Sequence, residues 1–356
     1  NGLGGEVEIT SGGVIERLKD YFDIYYGLGG TCAQGAAALG TLGVPVLIHI
    51  TDRSREVAAW LDDKRIESVN GRRSVPIKEC VTGEKPLIHL IMQYDKGDVI
   101  RCGDREYEVP VSNRLIMGYD KVHKVMPVRQ DFLEYLEEHA QTMCSYDISG
   151  FNAIVEPEVL KERIGQLAKH YRTLRSRNPQ LKIYFESAHF ISAGCRDLLY
   201  DTLAGHMDIM GMNEEELVDL AGKKAHPVDK DDIRSVIEGL DHMLELYPVK
   251  GIVMHSKDYA LYYGEMMEGV DVEMGLTLGS LMSGTRARTG RYGTMDDCRD
   301  SLRLPLSPTG TRFARALDEM ELQHKAVLVP SRYIEKPRYT IGLGDTFVAG
   351  MQLCFM

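Results

Sequence analysis

Along most of the chain, short runs of consecutive apolar residues alternate with longer segments in which apolar positions recur every third or fourth residue. MCSYDISGF (143–151), LKIYFES (181–187), HMDIMGMN (206–213) and GIVMHS (251–256) read as apolar strands that close on polar or glycine residues. VPVLIHI (44–50) reads the same way, as a buried strand. Helical periodicity at 157–177, 195–204, 213–222 and 230–247 separates or follows these runs. The segment 31–42 (TCAQGAAALGTL) predicts a tightly packed helix of small residues, and REVAAWLDD a short amphipathic one. Alternation of this kind predicts an α/β fold, with a mostly parallel sheet covered by helices. Open sheets of that class bind ligands at the carboxyl ends of their strands. Position alone therefore makes Asn152, Glu186, Asn213 and His255 candidates.

The rhythm breaks between 66 and 122. There PLIHLIMQY, DVIRCG, REYEVPV and NRLIMGY follow one another, separated by Gly, Asp and Pro turns. The pattern predicts a β-rich insert at 66–122 in a core made of 1–65 and 123–356, either a lid or a dimerisation hairpin. No internal repeat or low-complexity linker interrupts the chain.

Composition narrows the partners. With 356 residues, 44% hydrophobic and 27% charged, the chain has ordinary globular values and room for a sizeable core. A formal net charge of −11 argues against a general nucleic-acid binder, whose affinity rests on Lys and Arg. The seven cysteines, at 32, 80, 102, 144, 195, 298 and 354, are scattered and form no C-x-x-C pair. That pattern points to free thiols in a reducing compartment rather than to zinc or disulfides. With no signal-like opening and no membrane-length apolar run, the expected location is cytoplasmic, with no membrane partner. The opening NGLGGEVEI looks like a glycine-rich strand edge, from which a short native N-terminus is expected to be missing.

The most informative chemistry lies in VLVPSRYIEKPRYTIGLGDTFVAGM, 327–351. Gly342, Leu343 and Gly344 stand at a helix entrance, where free backbone N–H groups and the helix dipole favour a phosphate. Asp345 at the same entrance can take a proton from an attacking hydroxyl. Taken alone, the tetrapeptide also fits a plain turn with a capping Asp. Upstream, Asn213 and Glu216 lie three apart where a strand gives way to a helix. They can order water or Mg²⁺ beside a diphosphate, or form a capping box, or do both. No H-E-x-x-H, G-x-S-x-G or Walker G-x-x-x-x-G-K-[ST] is present, which removes zinc hydrolases, α/β hydrolases and P-loop kinases.

The run from Val329 through Thr346 resembles the C-terminal signature of the ADP-dependent glucokinase and phosphofructokinase family, a branch of the ribokinase-like kinases. Asn213-Glu214-Glu215-Glu216-Leu217 is similar to that family's N-E-x-E-L motif. The resemblance implies a ribokinase-like three-layer sandwich with a mostly parallel central sheet and a small β-rich lid. It implies a sugar kinase that moves the β-phosphate of ADP to a hydroxyl of a hexose or hexose phosphate, aided by Mg²⁺. Asp345 would be the general base, with the backbone of Gly342, Leu343 and Gly344 as an anion hole. Glu186, Asn213 and Glu216 would organise the metal, although the family's H-x-E reads Tyr184-Phe185-Glu186 here. His255, Val329, Pro330 and Thr340 would lie near the nucleotide. Gly29, Gly30, Asn152 and Arg114 would meet the acceptor. The sugar-gripping Asp of the family's first strand has no counterpart in register, only Glu6 and Glu8. An ATP-using ribokinase-like carbohydrate kinase and a catalytically idle sugar- or nucleotide-binding relative are the alternatives. The expected assembly is a monomer or homodimer.

Overall fold

The computed structural model describes residues 5–110 and 112–356. Residues 1–4 of the expected strand edge lie outside the described residues, as does the Glu6 side chain. The N-terminal part contains β1 (Gly5–Glu8), α1 (Gly12–Lys19), α2 (Thr31–Thr41), β2 (Val46–Leu47), α3 (Arg55–Trp60), β3 (Ile66–Asn70), β4 (Arg73–Pro76), β5 (His89–Tyr94), β6 (Val99–Cys102), β7 (Arg105–Glu108) and β8 (Asn113–Gly118). It continues through α4 (Gln130–Glu138), β9 (Ser145–Ile148), α5 (Pro157–Arg177), β10 (Lys182–Glu186), α6 (Ala193–Leu203), β11 (Ile209–Asn213), α7 (Glu214–Lys223) and α8 (Ile233–Leu246). The C-terminal part adds β12 (Gly251–His255), β13 (Tyr259–Gly264), α9 (Val272–Thr289), α10 (Met295–Ser301), α11 (Pro308–Asp318), β14 (Ala326–Pro330) and α12 (Leu343–Met351).

The central sheet has six strands in the order β14-β13-β12-β11-β10-β9. Strands β9 to β12 pair in parallel, and β13 pairs antiparallel with both β12 and β14. The apolar runs are continuous because both faces of the sheet are covered. On β10, Ile183 and Phe185 enter one core while Tyr184 enters the other. The same division separates Met210 and Met212 from Ile209, and Ile252 and Met254 from Val253. The larger core lies under α4 to α8 and α11; the smaller lies under α9 and α12. The result is a three-layer α/β/α sandwich.

Local rules explain the helices that position the site. α5 opens with Pro157 in its first turn and closes on Arg175 and Arg177, each suited to its end of the helix dipole. α9 gave no amphipathic signal because it is buried almost all round: Gly275, Leu276, Gly279, Ser280, Leu281 and Thr285 are all covered. The expected strand at 44–50 shortens to Val46–Leu47, while Ile48 and Ile50 run on as buried loop against Ala36, Leu61 and Ile66. Strand pairing crosses the boundaries drawn at 66 and 122. β3 pairs with β2 in parallel and with β4 antiparallel, and this small sheet packs on α2. β8 pairs with β1 in parallel and with β5 antiparallel, and β6 with β7 forms a separate exposed hairpin. Among the described residues no helix is long and apolar enough to cross a membrane.

Candidate active site

Because β9 to β12 are parallel, Glu186, Asn213 and His255 finish their strands at one edge of the sheet. The turn Ser149-Gly150-Phe151-Asn152 follows β9 at that same edge. α12 enters here, with the Phe347 ring 4.8 Å from the His255 ring. Its N-cap, Gly342, is left-handed at φ 66°, and no side chain caps the helix. A Cβ at Gly342 would come within 2.0 Å of Gln34 Oε1, so glycine is required on both counts. The Thr346 hydroxyl donates back to the Gly342 carbonyl at 2.9 Å and closes the turn. The entrance thus offers uncapped backbone N–H groups and the positive end of the helix dipole to an anion.

Asp345 is half-buried on the first turn of α12. Burial raises its carboxyl above the ordinary value and Glu186 adds to that, while the Thr31 hydroxyl, Arg286 and His255 pull it down. One of its oxygens, Oδ2, accepts a hydrogen bond from Gln34 Nε2. A carboxylate with raised proton affinity suits a general base.

Glu186 is buried and bonds in two directions. His255 Nε2 lies 2.8 Å from Oε1, and the Tyr184 hydroxyl donates to Oε2 at 3.1 Å. Tyr184, standing where the family's motif has His, therefore orients this carboxylate from the sheet beneath. Gly211 on β11 makes room for the pair: a Cβ there would meet both Glu186 Oε2 and the Tyr184 hydroxyl at 2.1 Å. Burial lowers the affinity of His255 for its proton, but Glu186, Glu216 and Glu214 outweigh it, so its pKa is raised.

Asn213 and Glu216 form the full capping box of α7. Asn213 Oδ1 accepts from the Glu215 and Glu216 N–H groups, each at 2.9 Å, and Glu216 Oε2 accepts from the Asn213 N–H at 3.1 Å. Burial and then repulsion from Glu186 push the Glu216 carboxyl up to about 7. Asp147 on β9 goes up to about 8, by burial and then by Glu186, and its Oδ1 has no hydrogen-bond partner. Among the described residues, no three His, Cys, Asp or Glu side chains converge on a ready cation cage. This edge nevertheless carries a surplus of carboxylates that repel one another, which fits a Mg²⁺ ion bound largely through water and phosphate oxygens.

The other expected site residues are more dispersed. His255, Ala260 and Val329 fall in one row of the sheet, and Pro330 ends β14 beside Tyr259. Thr340 is exposed, and its hydroxyl accepts from Gln93 Nε2 of β5 at 3.1 Å. Arg114 lies opposite Gln93 on β8, exposed. Gly29 and Gly30 are exposed at the start of α2, where Gly30 takes φ 86° as the N-cap. Asn152 is half-buried, its carbonyl accepting from the Ile191 N–H at 3.2 Å. Sequence reasoning missed Gln34, Arg286, Thr31 and Asp147. Gln34 had a signal, as the lone large polar residue in a helix otherwise of small and apolar residues. Arg286 had none, since its helix shows no amphipathic stripe.

Comparison with known proteins places the chain among relatives. The conserved region of ADP-specific phosphofructokinases and glucokinases matches residues 1–353. An ADP-dependent glucose/glucosamine kinase of Pyrococcus abyssi is 26% identical over 330 residues, 86% of this chain and 70% of its own. An ADP-specific phosphofructokinase of Methanosarcina acetivorans is 23% identical over 394 residues, 98% of this chain and 79% of its own. Among solved structures, an ADP-dependent kinase in complex with fructose 6-phosphate and ADPβS superposes with a TM-score of 0.85 at 20% identity, covering 99% of this chain and 85% of the other. A hypothetical ADP-dependent phosphofructokinase from Pyrococcus horikoshii gives 0.82, also at 20% identity, covering 99% and 84%. At that identity the two superpositions speak for the fold, while the sequence match over residues 1–353 speaks for descent: the chain belongs to the ADP-specific phosphofructokinase/glucokinase family.

Proposed function

We propose that the protein is an ADP-dependent sugar kinase that transfers the β-phosphoryl group of ADP to a hydroxyl of a hexose or hexose phosphate. The observation that carries this reading is the half-buried Asp345 carboxyl on the first turn of an uncapped helix entered through the left-handed Gly342. In it, the acceptor hydroxyl lies between Asp345 and the terminal phosphate of the nucleotide. Asp345 takes the hydroxyl proton as the oxygen attacks in line, and the N–H groups of the 342–345 turn hold the phosphoryl oxygens. Mg²⁺, when bound, supplies charge neutralisation on the phosphates. Glu186, Asn213 and Glu216 would hold it through water, with His255 and Tyr184 fixing Glu186. His255, Val329, Pro330 and Thr340 border the nucleotide, and Gly29, Gly30, Asn152 and Arg114 border the acceptor.

In the same reading the lid is the sheet β1-β8-β5 with the hairpin β6-β7, closing over the sheet edge to exclude water. The Gln93–Thr340 hydrogen bond links it to the loop that leads into α12. Relatives named for glucose, glucosamine and phosphofructokinase activity set the acceptor panel. Purified protein with Mg²⁺ is to be assayed with ADP or ATP against glucose, glucosamine and fructose 6-phosphate. The expected result is AMP and a phosphorylated sugar from ADP alone. Turnover with ATP and none with ADP would refute the donor, and no turnover with any pair would refute the activity.

A further inference from the structure

We infer that Gln34, held in turn by Arg286, is a positioning residue for phosphoryl transfer: it holds one oxygen of Asp345 and so orients the carboxylate toward the acceptor hydroxyl. The inference rests on Asp345 being the base. Gln34 lies on the first turn of α2 and is only 2% exposed. Its Nε2 donates to Asp345 Oδ2, and its Oε1 accepts from Arg286 Nη2 at 2.6 Å and from the Tyr292 hydroxyl at 3.5 Å. Charge dictates this orientation of the amide. Turned over, its oxygen would face the carboxylate and its NH₂ group would face the guanidinium.

Arg286, on α9, is 4% exposed. The rings of Tyr292 and Tyr339 flank its guanidinium, with centroids 4.1 and 5.0 Å away. Its Nη1 donates to the Thr346 hydroxyl at 3.4 Å, and its Nε has no acceptor. A buried cation is expensive to keep, so a fold that places one behind the base through a single amide has a use for it. Gln34 also fills the space that a side chain at position 342 would need. One residue thereby ties α2, α9 and the anion turn of α12 together around the carboxylate. Gln34 Nε2 engages Oδ2, and the Thr31 hydroxyl also hydrogen-bonds the carboxyl, so two residues of α2 fix its orientation.

Several groups face Asp345 besides these. Glu186 on β10 raises its proton affinity, and Thr31 on α2 and His255 on β12 lower it; Asp147 on β9, Cys32 on α2 and Tyr292 in turn feel its charge. Removing the Gln34 donor or the Arg286 charge leaves that set unbalanced toward protonation.

The test uses the full chain. Gln34→Leu removes both hydrogen bonds at similar volume, and Gln34→Glu keeps the acceptor for Arg286 while losing the donor to Asp345. Both are expected to lower kcat by roughly 10- to 100-fold, the scale of a misplaced catalytic group. KM for ADP should stay within about twofold, because the interaction belongs to the transfer step rather than to binding. The acid limb of the kcat–pH profile should move to higher pH, and Arg286→Lys should recover part of what Arg286→Met loses. A ¹³C titration of the Asp345 carboxyl should show the same upward shift without any turnover. An unshifted titration in Gln34→Leu, or a loss confined to KM, overturns the inference. Turnover abolished in Asp345→Asn but intact in Gln34→Leu overturns it alone; turnover intact in Asp345→Asn overturns the assignment of the base as well.

Discussion

The two sides of the proposed site are built differently. On the transfer side, Glu186 and Gln34 are buried, Asp345 and His255 are half-buried, and all four are tied by side-chain hydrogen bonds to neighbouring elements. On the side of the proposed lid, Arg114, Thr340, Gly29 and Gly30 are exposed, and the Gln93–Thr340 bond is exposed with them. A group that must hold a reacting atom to a fraction of an ångström needs packing and hydrogen bonds to fix it. A surface that must open for substrate and close behind it cannot carry such support. Substitutions should therefore cost kcat on the first side and KM on the second.

Asp345→Asn should give the largest effect. Losing the general base while keeping the shape is expected to cut kcat by about 10²–10⁴-fold with little change in thermal stability. Steady-state AMP release and a melting curve measure both. Wild-type turnover in the variant would place the base elsewhere.

Gly211→Ala comes next, and it tests the support of the site rather than its chemistry. The added methyl meets the Glu186 carboxylate and the Tyr184 hydroxyl, so their hydrogen bond must open. Overpacking of this kind costs about 1–3 kcal/mol, read as a lowered denaturation midpoint. Turnover should fall with it, because Glu186 also loses its orientation. A variant as stable and active as the parent would show that β11 has slack the packing does not suggest.

That glycine also shows how far a sequence can be read. The strands were legible because burial on both faces demands unbroken apolar runs, and Asp345 and the Asn213–Glu216 pair were legible because local spacing alone makes a turn and a cap. Gly211, Gln34 and Arg286 were not, since their reasons lie in distant segments: Gln34 meets Asp345 311 positions away, and Arg286 meets Gln34 252 positions away. The β-rich segment proposed as a lid was legible only as a change of rhythm. Its strand β1 lies far upstream of its partner β8, and no local pattern announces a parallel pairing of that kind.

A smaller effect comes from pH. Asp147 at about 8 and Glu216 at about 7 both sit well above the ordinary carboxyl values of 3.8 and 4.5. Asp345 and His255 are raised as well. A group with a raised folded-state pKa contributes stability below its unfolded value and loses it as pH rises through the folded one. These groups should make the ligand-free protein less stable at pH 8 than at pH 6. In the proposed site Mg²⁺ would neutralise the same carboxylates, so its addition should raise the melting temperature more at pH 8 than at pH 6. Equal shifts at the two pH values would mean that the metal does not engage this carboxylate edge.

The smallest effect should come from the lid side. Thr340→Val removes the hydroxyl that accepts from Gln93 and leaves the size of the side chain unchanged. The bond is exposed on both partners, so water replaces it at little cost, and the melting temperature should not move. In the proposed reading, what changes is how often the lid stands closed over the loop that leads into α12. KM for the acceptor should rise by roughly twofold at unchanged kcat, the size of one weak hydrogen bond made only in the closed state. A fall in kcat instead would mean that Thr340 helps to hold the reacting groups, and the contrast between a fixed transfer side and a mobile lid would have to be redrawn at that residue.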